Sequence, residues 1–162
     1  MKKFKIHLAT ALFLIPLFAL AGYSPPKVQA ALKKMYPTAT DIAWSQNGSY
    51  YIADFTNNGF DTDVWLDANG NWIMTLTDLE TTDELSPEVY NAFAMGDYAA
   101  AQVEDVTQAT FPKCPTVFVI KVGQQNEDIL YQLFYASNGA LLRTYNMGYT
   151  EGTLTPGTFE CE

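Results

Sequence analysis

Tyr50-Tyr51-Ile52-Ala53-Asp54-Phe55-Thr56 runs into Asn57-Asn58-Gly59, and Asp61-Thr62-Asp63-Val64-Trp65-Leu66 then runs into Asp67-Ala68-Asn69-Gly70. Two runs of β-forming residues punctuated by Asn-Gly read as antiparallel strands joined by tight turns, because Asn and Gly take the positive φ that hairpins require. Working outward, residues 42–45 read as a short strand before the Asn47-Gly48 turn, and residues 71–76 as a strand after Gly70. Residues 42–76 are therefore expected to form a four-stranded antiparallel meander.

Upstream lies Ser24-Pro25-Pro26-Lys27-Val28, and a similar start recurs at Ser86-Pro87-Glu88-Val89. Each offers Ser as an N-cap and Pro in the first turn. Val28, Ala31, Leu32 and Met35 fall on one helical face, as do Val89, Ala92 and Phe93. Tyr36-Pro37 ends the first helix, because a residue before Pro avoids the α region. Downstream of the second helix, residues 116–122, 129–136 and 140–145 match the last three strands of the first meander, with Ser137-Asn138-Gly139 in the place of Ala68-Asn69-Gly70. The expected fold is α+β: a helix plus a four-stranded antiparallel meander, used in tandem. The two units share one sheet with both helices on one face, since one unit alone is too small to bury a good core. Residues 77–85 read as an acidic connector short of apolar side chains. The expected divisions are a signal peptide at 1–21, a first unit at 22–80, a second at 81–147 and a C-terminal tail at 148–162.

The chain has 162 residues, 48% hydrophobic and 14% aromatic, with a formal net charge of −9. Lys2, Lys3 and Lys5 precede an apolar stretch over 8–20, and Ala19-Leu20-Ala21 is a small-x-small cleavage site. This is the pattern of a secretory signal cleaved before Gly22. The stretch is too short to span a bilayer comfortably. Tyr23 stands where a lipid anchor would need Cys. Six Lys and Arg against eighteen Asp and Glu leave −12 for residues 22–162, a charge that repels phosphate backbones and anionic lipid. The expected location is the periplasm or the medium, with no nucleic-acid partner, membrane span or lipid anchor.

His7 is the only histidine and leaves with the signal. Without imidazole, Ser-His-Asp and Cys-His catalysis and His-ligated metals are excluded. No cofactor motif is present, and no cofactor or metal site is expected. Asp67-Ala68-Asn69-Gly70-Asn71 has Gly at position 4 and so fails as a calcium loop. Export favours a disulfide between the two cysteines, Cys114 and Cys161; free thiols, with Cys114 partly buried, are the alternative. An unstrained bridge would contribute about 4 kcal/mol on loop-closure arithmetic.

Strand parity supplies a candidate binding surface. Thr62, Val64 and Leu66 suit packing beneath a helix, as do Tyr51, Ala53 and Phe55. Tyr50, Ile52, Asp54, Asp61, Asp63 and Trp65 then share the helix-free face. Aligning the Asn-Gly turns places Phe134 in correspondence with Trp65, and Gln132 with Asp63. These eight residues are the expected partner contacts, since aromatics dominate interface energetics. The alternative left open is that Trp65 and Phe134 cover a second thin core under the tail.

The run Pro26-x-Val28-x₃-Leu32-x₃-Tyr36-Pro37-x-Ala39-x₄-Trp44 resembles the PepSY-like, β-lactamase-inhibitor-protein-like (BLIP-like) domains of exported Gram-negative proteins. So do Gly48-x-Tyr50-Tyr51-x-Ala53-x-Phe55 and Val64-Trp65-Leu66-Asp67-Ala68-Asn69-Gly70-Asn71-Trp72. The likeness is good over about 25–76 and weak over 86–146, where no Tyr-Pro follows the helix and Phe111-Pro112-Lys113-Cys114-Pro115 is inserted. It implies helix plus antiparallel sheet in tandem. Inhibition of a β-lactamase does not follow, because that part of the name reflects fold. The functional expectation is a non-enzymatic, inhibitor-like binding module for an unknown protein or peptide of the cell envelope. The alternatives are a small-ligand or glycan-binding protein, using Trp65 and Trp72 as stacking platforms, and a carboxylate-based hydrolase, which needs two acids in a cleft.

Overall fold

Among the described residues, eight antiparallel strands form one sheet whose spatial order is the sequence order. The computed structural model describes residues 22–123, 129–148 and 152–159. Helix α1 (Pro26–Met35) precedes β1 (Ala43–Asn47), β2 (Tyr50–Asn57), β3 (Phe60–Asp67) and β4 (Trp72–Asp78). Helix α2 (Pro87–Ala94) precedes β5 (Gln102–Thr110), β6 (Val117–Gly123), β7 (Leu130–Ala136) and β8 (Leu141–Gly148). Single 3₁₀ turns stand before α2, at Thr82–Glu84, and in the tail, at Pro156–Thr158.

Val28 and Leu32 of α1 pack on Ala53, Phe55, Val64 and Leu66. Val89 and Phe93 of α2 pack on Val106, Phe118, Ile120, Val122, Leu133 and Tyr135. Cross-strand partners point to the same side of a sheet. Thr62 pairs with Thr77, Thr77 with Gln108, and Gln108 with Phe118. The α1 side of β3 is thus continuous with the α2 side of β6, and both helices cover one face. Each helix also meets a turn. A Cβ on Gly70 (φ 79°) would lie 3.0 Å from the Lys27 carbonyl oxygen, and one on Gly139 (φ 84°) 2.5 Å from that of Glu88. Only Gly supplies both the positive φ and the closeness.

Several expectations are corrected in detail. Ser86 caps α2, its hydroxyl accepting from the Val89 N–H at 3.4 Å. Ser24 does not cap α1. Pro25 takes that position, its carbonyl receiving the Val28 and Gln29 N–H groups, and Ser24 is buried one residue outside. Met35 is exposed at the end of α1. The connector contributes to the core, because Leu79 and Leu85 are buried with α2. Strand β5 was not located from the sequence. A register shift between Val103 and Asp105 inserts Glu104, so Val103 and Val106 both pack toward α2 three positions apart, and the period of two is broken.

Candidate functional site

On the helix-free face the cross-strand register gathers Ile52, Trp65, Met74, Ala109, Val119 and Phe134 into a second apolar cluster. Trp65, expected here from parity, and Phe134, expected here from the alignment of the Asn-Gly turns, both belong to this cluster, but the face is not open there. Leu154 and Phe159 of the tail lie on the cluster. Trp65 is 2% exposed, Phe134 3%, Gln132 6% and Ile52 9%. The expectation that these four side chains form an exposed contact surface is therefore corrected: hydrophobic burial brings the tail down on an apolar stripe that the helices leave uncovered. Phe159 meets Phe111 at 5.0 Å and Phe134 at 6.0 Å, both edge-on. The Arg143 guanidinium sits 4.3 Å from the centre of the Phe134 ring and donates to the Thr158 carbonyl at 2.7 Å. Gln132 Nε2 donates to the Gly152 carbonyl at 3.3 Å. The Trp65 Nε1–H is buried without a hydrogen-bond partner.

Beyond the tail-covered stripe, Asp54 and Asp61 are exposed, while Tyr50 and Asp63 are half-buried. Tyr50 leans on Trp65 at 6.1 Å between ring centres. Asp54 and Asp63 are direct cross-strand partners, and Asp61 lies two residues along the same side. Burial pushes the Asp63 carboxyl up to about 6, and the charges of Asp54 and then Asp61 add to the shift. The Thr56 hydroxyl donates to Asp61 Oδ1 at 3.4 Å.

A second acidic pair went unnoticed in the sequence, Asp105 because β5 was not located and Asp78 because β4 was expected to end at residue 76. Asp78 is opposite Thr107, Thr107 opposite Val119, and Val119 opposite Phe134, so Asp78 and Asp105 belong to this face as well. Burial raises the Asp105 carboxyl, the Thr107 hydroxyl bond at 2.8 Å opposes the rise, Asp78 adds to it, and Lys121 across the ladder opposes it.

Two grooves flank Phe159. The larger, about 590 Å³, has Val117, Phe134, Ala136 and Leu142 among its walls, with Arg143 at one side. The smaller, about 270 Å³, is lined by Trp72, Ile73, Met74, Phe111 and Lys113, among others. No Asp or Glu lines either groove among the described residues. Two carboxylates facing each other across a cleft, the arrangement glycoside hydrolysis needs, are not formed in these spaces. No group of three or more His, Cys, Asp or Glu among the described residues is placed to hold a metal ion. Cys114 is not a free thiol, and its expected partner, Cys161, lies outside the described residues. So does the proposed cleavage site at Ala21. No helix among the described residues is long and apolar enough to cross a membrane.

Comparison with known proteins places this geometry among relatives. Residues 49–143 match the family model described as "Putative beta-lactamase-inhibitor-like, PepSY-like". A DUF2874 family protein from Bacteroides ovatus ATCC 8483 is 50% identical with a TM-score of 0.83, over 86% of this chain and 99% of that one. A protein from Bacteroides eggerthii DSM 20697, described among "putative periplasmic proteins", is 47% identical with a TM-score of 0.75, over 78% and 91%. A BLIP-like protein from Bacteroides fragilis NCTC 9343 is 40% identical with a TM-score of 0.77, over 83% and 96%. No curated protein matches the chain.

Proposed function

Because the chain belongs to the PepSY-like, β-lactamase-inhibitor-like family, we propose that it is an exported, non-enzymatic binding module that recognises a protein or peptide through the helix-free sheet face. One observation carries the reading. Two helices cover one side of the sheet, whereas the other bears Asp54, Asp61, Asp63 and Tyr50 beside an apolar stripe that, among the described residues, is covered by residues 152–159 of the tail. An acidic rim around an apolar centre suits a partner with basic residues around apolar anchors, the rim steering encounter and the centre holding the complex. The test is capture from envelope and culture fractions by the full chain and by its Asp54→Lys/Asp61→Lys form. A protein retained by the first and lost by the second supports the reading; identical retention by both defeats it.

Several supporting assignments belong to the same proposal. The mature chain begins at Gly22 after signal cleavage, which intact-mass measurement of the exported protein checks. Residues 22–80 and 81–147 are two copies of one unit. The matching order of helix and four strands, and the two turn glycines seated against the two helices, favour this. Cys114 and Cys161 form a bridge that ties down the tail. The protein resides in the periplasm or medium, in keeping with the description of its Bacteroides eggerthii relative.

The larger groove favours a second reading, in which a small apolar ligand is held between tail and sheet, since about 590 Å³ lies within the range of ligand sites. Native mass spectrometry of protein purified from its source, showing one reproducible adduct, would support it; an unliganded mass would count against it.

A further inference from the structure

Resting on the reading of the helix-free face as the recognition surface, we propose that residues 152–159 are a built-in occupant of that surface. In this proposal a partner displaces them with a segment carrying an aliphatic and an aromatic anchor five residues apart across a turn, as Leu154 and Phe159 are across Pro156–Thr158.

The tail is seated differently from the rest of the fold. Among the described residues no backbone hydrogen bond joins it to the sheet; its own backbone bonds, Thr158 N–H to Thr155 O and Phe159 N–H to Pro156 O, are internal. Two apolar anchors and the side-chain bonds from Gln132 and Arg143 hold it. A strand of the same length would contribute a ladder of backbone bonds; among the described residues the tail makes none to the sheet, so apart from the Cys114–Cys161 bridge proposed above it is held through side chains.

Its fit is also incomplete. Solvent-open, apolar-walled grooves of about 590 and 270 Å³ flank Phe159. Beneath the tail cluster, the Trp65 Nε1–H has no acceptor. A buried donor without a partner is uncommon in native structures, and a backbone carbonyl from an incoming segment is a group that would satisfy it. The surface thus has room and an unmet hydrogen bond that its own tail does not use.

The occupant's chemistry follows from what already sits there and what surrounds it. Leu154 and Phe159 show that the stripe takes an aliphatic and an aromatic side chain five residues apart. Exposed Asp54 and Asp61 at its margin add a preference for Lys or Arg flanking those anchors. An intramolecular occupant competes at high effective concentration, so the apparent affinity for a partner is lowered by the fraction of molecules in which the tail is up.

The test uses the full chain, with reductant present so that any tether beyond the tail is open. Its probe is the synthetic peptide Gly-Thr-Leu-Thr-Pro-Gly-Thr-Phe, the protein's own residues 152–159. In the Leu154→Ala/Phe159→Ala form the Trp65 indole N–H should exchange rapidly with deuterium while β2, β3, β6 and β7 amides stay protected. The peptide should bind that form about tenfold or more tighter than wild type, and a peptide with both anchors changed to Ala should not bind. Loss of sheet protection in the double variant would make the tail an integral core element and overturn the proposal. Continued protection of the Trp65 indole, or equal peptide binding to both proteins, would also overturn it. Failure of the broader reading looks different: the peptide exchanges as expected, but charge reversal at Asp54 and Asp61 leaves partner capture unchanged.

Discussion

Replacing Asp63 by Asn should make the protein more stable at neutral pH. Its carboxyl is raised from 3.8 to about 6, by burial first, then by Asp54 directly across the ladder, then by Asp61. A shift of about two units at about 1.4 kcal/mol per unit sets a ceiling near 3 kcal/mol. The side chain is only half-buried, and solvent screening brings the expected gain to about 1–2 kcal/mol. The sign follows from linkage. A carboxyl whose pKa is higher folded than unfolded leaves the native state holding more protons between about pH 4 and 6, so this group's contribution falls as pH rises through that window and is level above it. Asn keeps the shape and removes the charge. Urea unfolding at pH 4, 5, 6 and 7 should show the variant gaining on wild type across the window, with the full difference at pH 7. Asp54→Asn, which removes only the second cause, should recover less. If Asp63→Asn is no more stable at pH 7, or if the wild-type slope survives in the variant, the placement of Asp63 against a desolvating, like-charged neighbourhood is wrong.

Trp65→Ala should destabilise the fold by about 3–5 kcal/mol in denaturant titrations, as expected for a buried aromatic at 2% exposure; a loss below about 1 kcal/mol would mean that the tail does not cover it in solution. Gly139→Ala should cost about 1–3 kcal/mol by thermal or chemical unfolding, from positive φ together with a Cβ 2.5 Å from the Glu88 carbonyl. Gly48→Ala (φ 58°), where a Cβ meets open space, should cost less. Thiol titration of denatured, unreduced protein should find no free cysteine; two reactive thiols would end the Cys114–Cys161 assignment.

Seven of the eight strands and both helices were legible in the sequence, because each is bounded by a local signal: Ser-Pro at the helix starts, Tyr-Pro at the end of the first helix, and Asn-Gly turns between alternating runs. β5 lacked such a signal. Its bulge at Glu104 leaves Val103 and Val106 three positions apart, which breaks the period of two that marks a strand. Asp105 was missed for the same reason, since a residue cannot be assigned to a face of a strand that has not been located; Asp78 was missed because residues 77–85 read as connector, whereas β4 runs on to Asp78.

The sequence by itself determined which residues share a face. Side-chain direction in a strand alternates with a period of two, so Asp61, Asp63 and Trp65 had to point together, opposite Val64 and Leu66. It also shows that residues 22–162 carry no histidine, so the described fold contains no imidazole. Only the tertiary structure decided which part of that face meets solvent. Whether Trp65 and Phe134 are contacts or core depends on where Leu154 and Phe159 come to rest, about 90 and 20 residues away along the chain. No local rule carries that information: burial is a property of the surfaces that finally meet, and a Trp on a sheet face has the same parity whether a partner or the chain's own tail covers it.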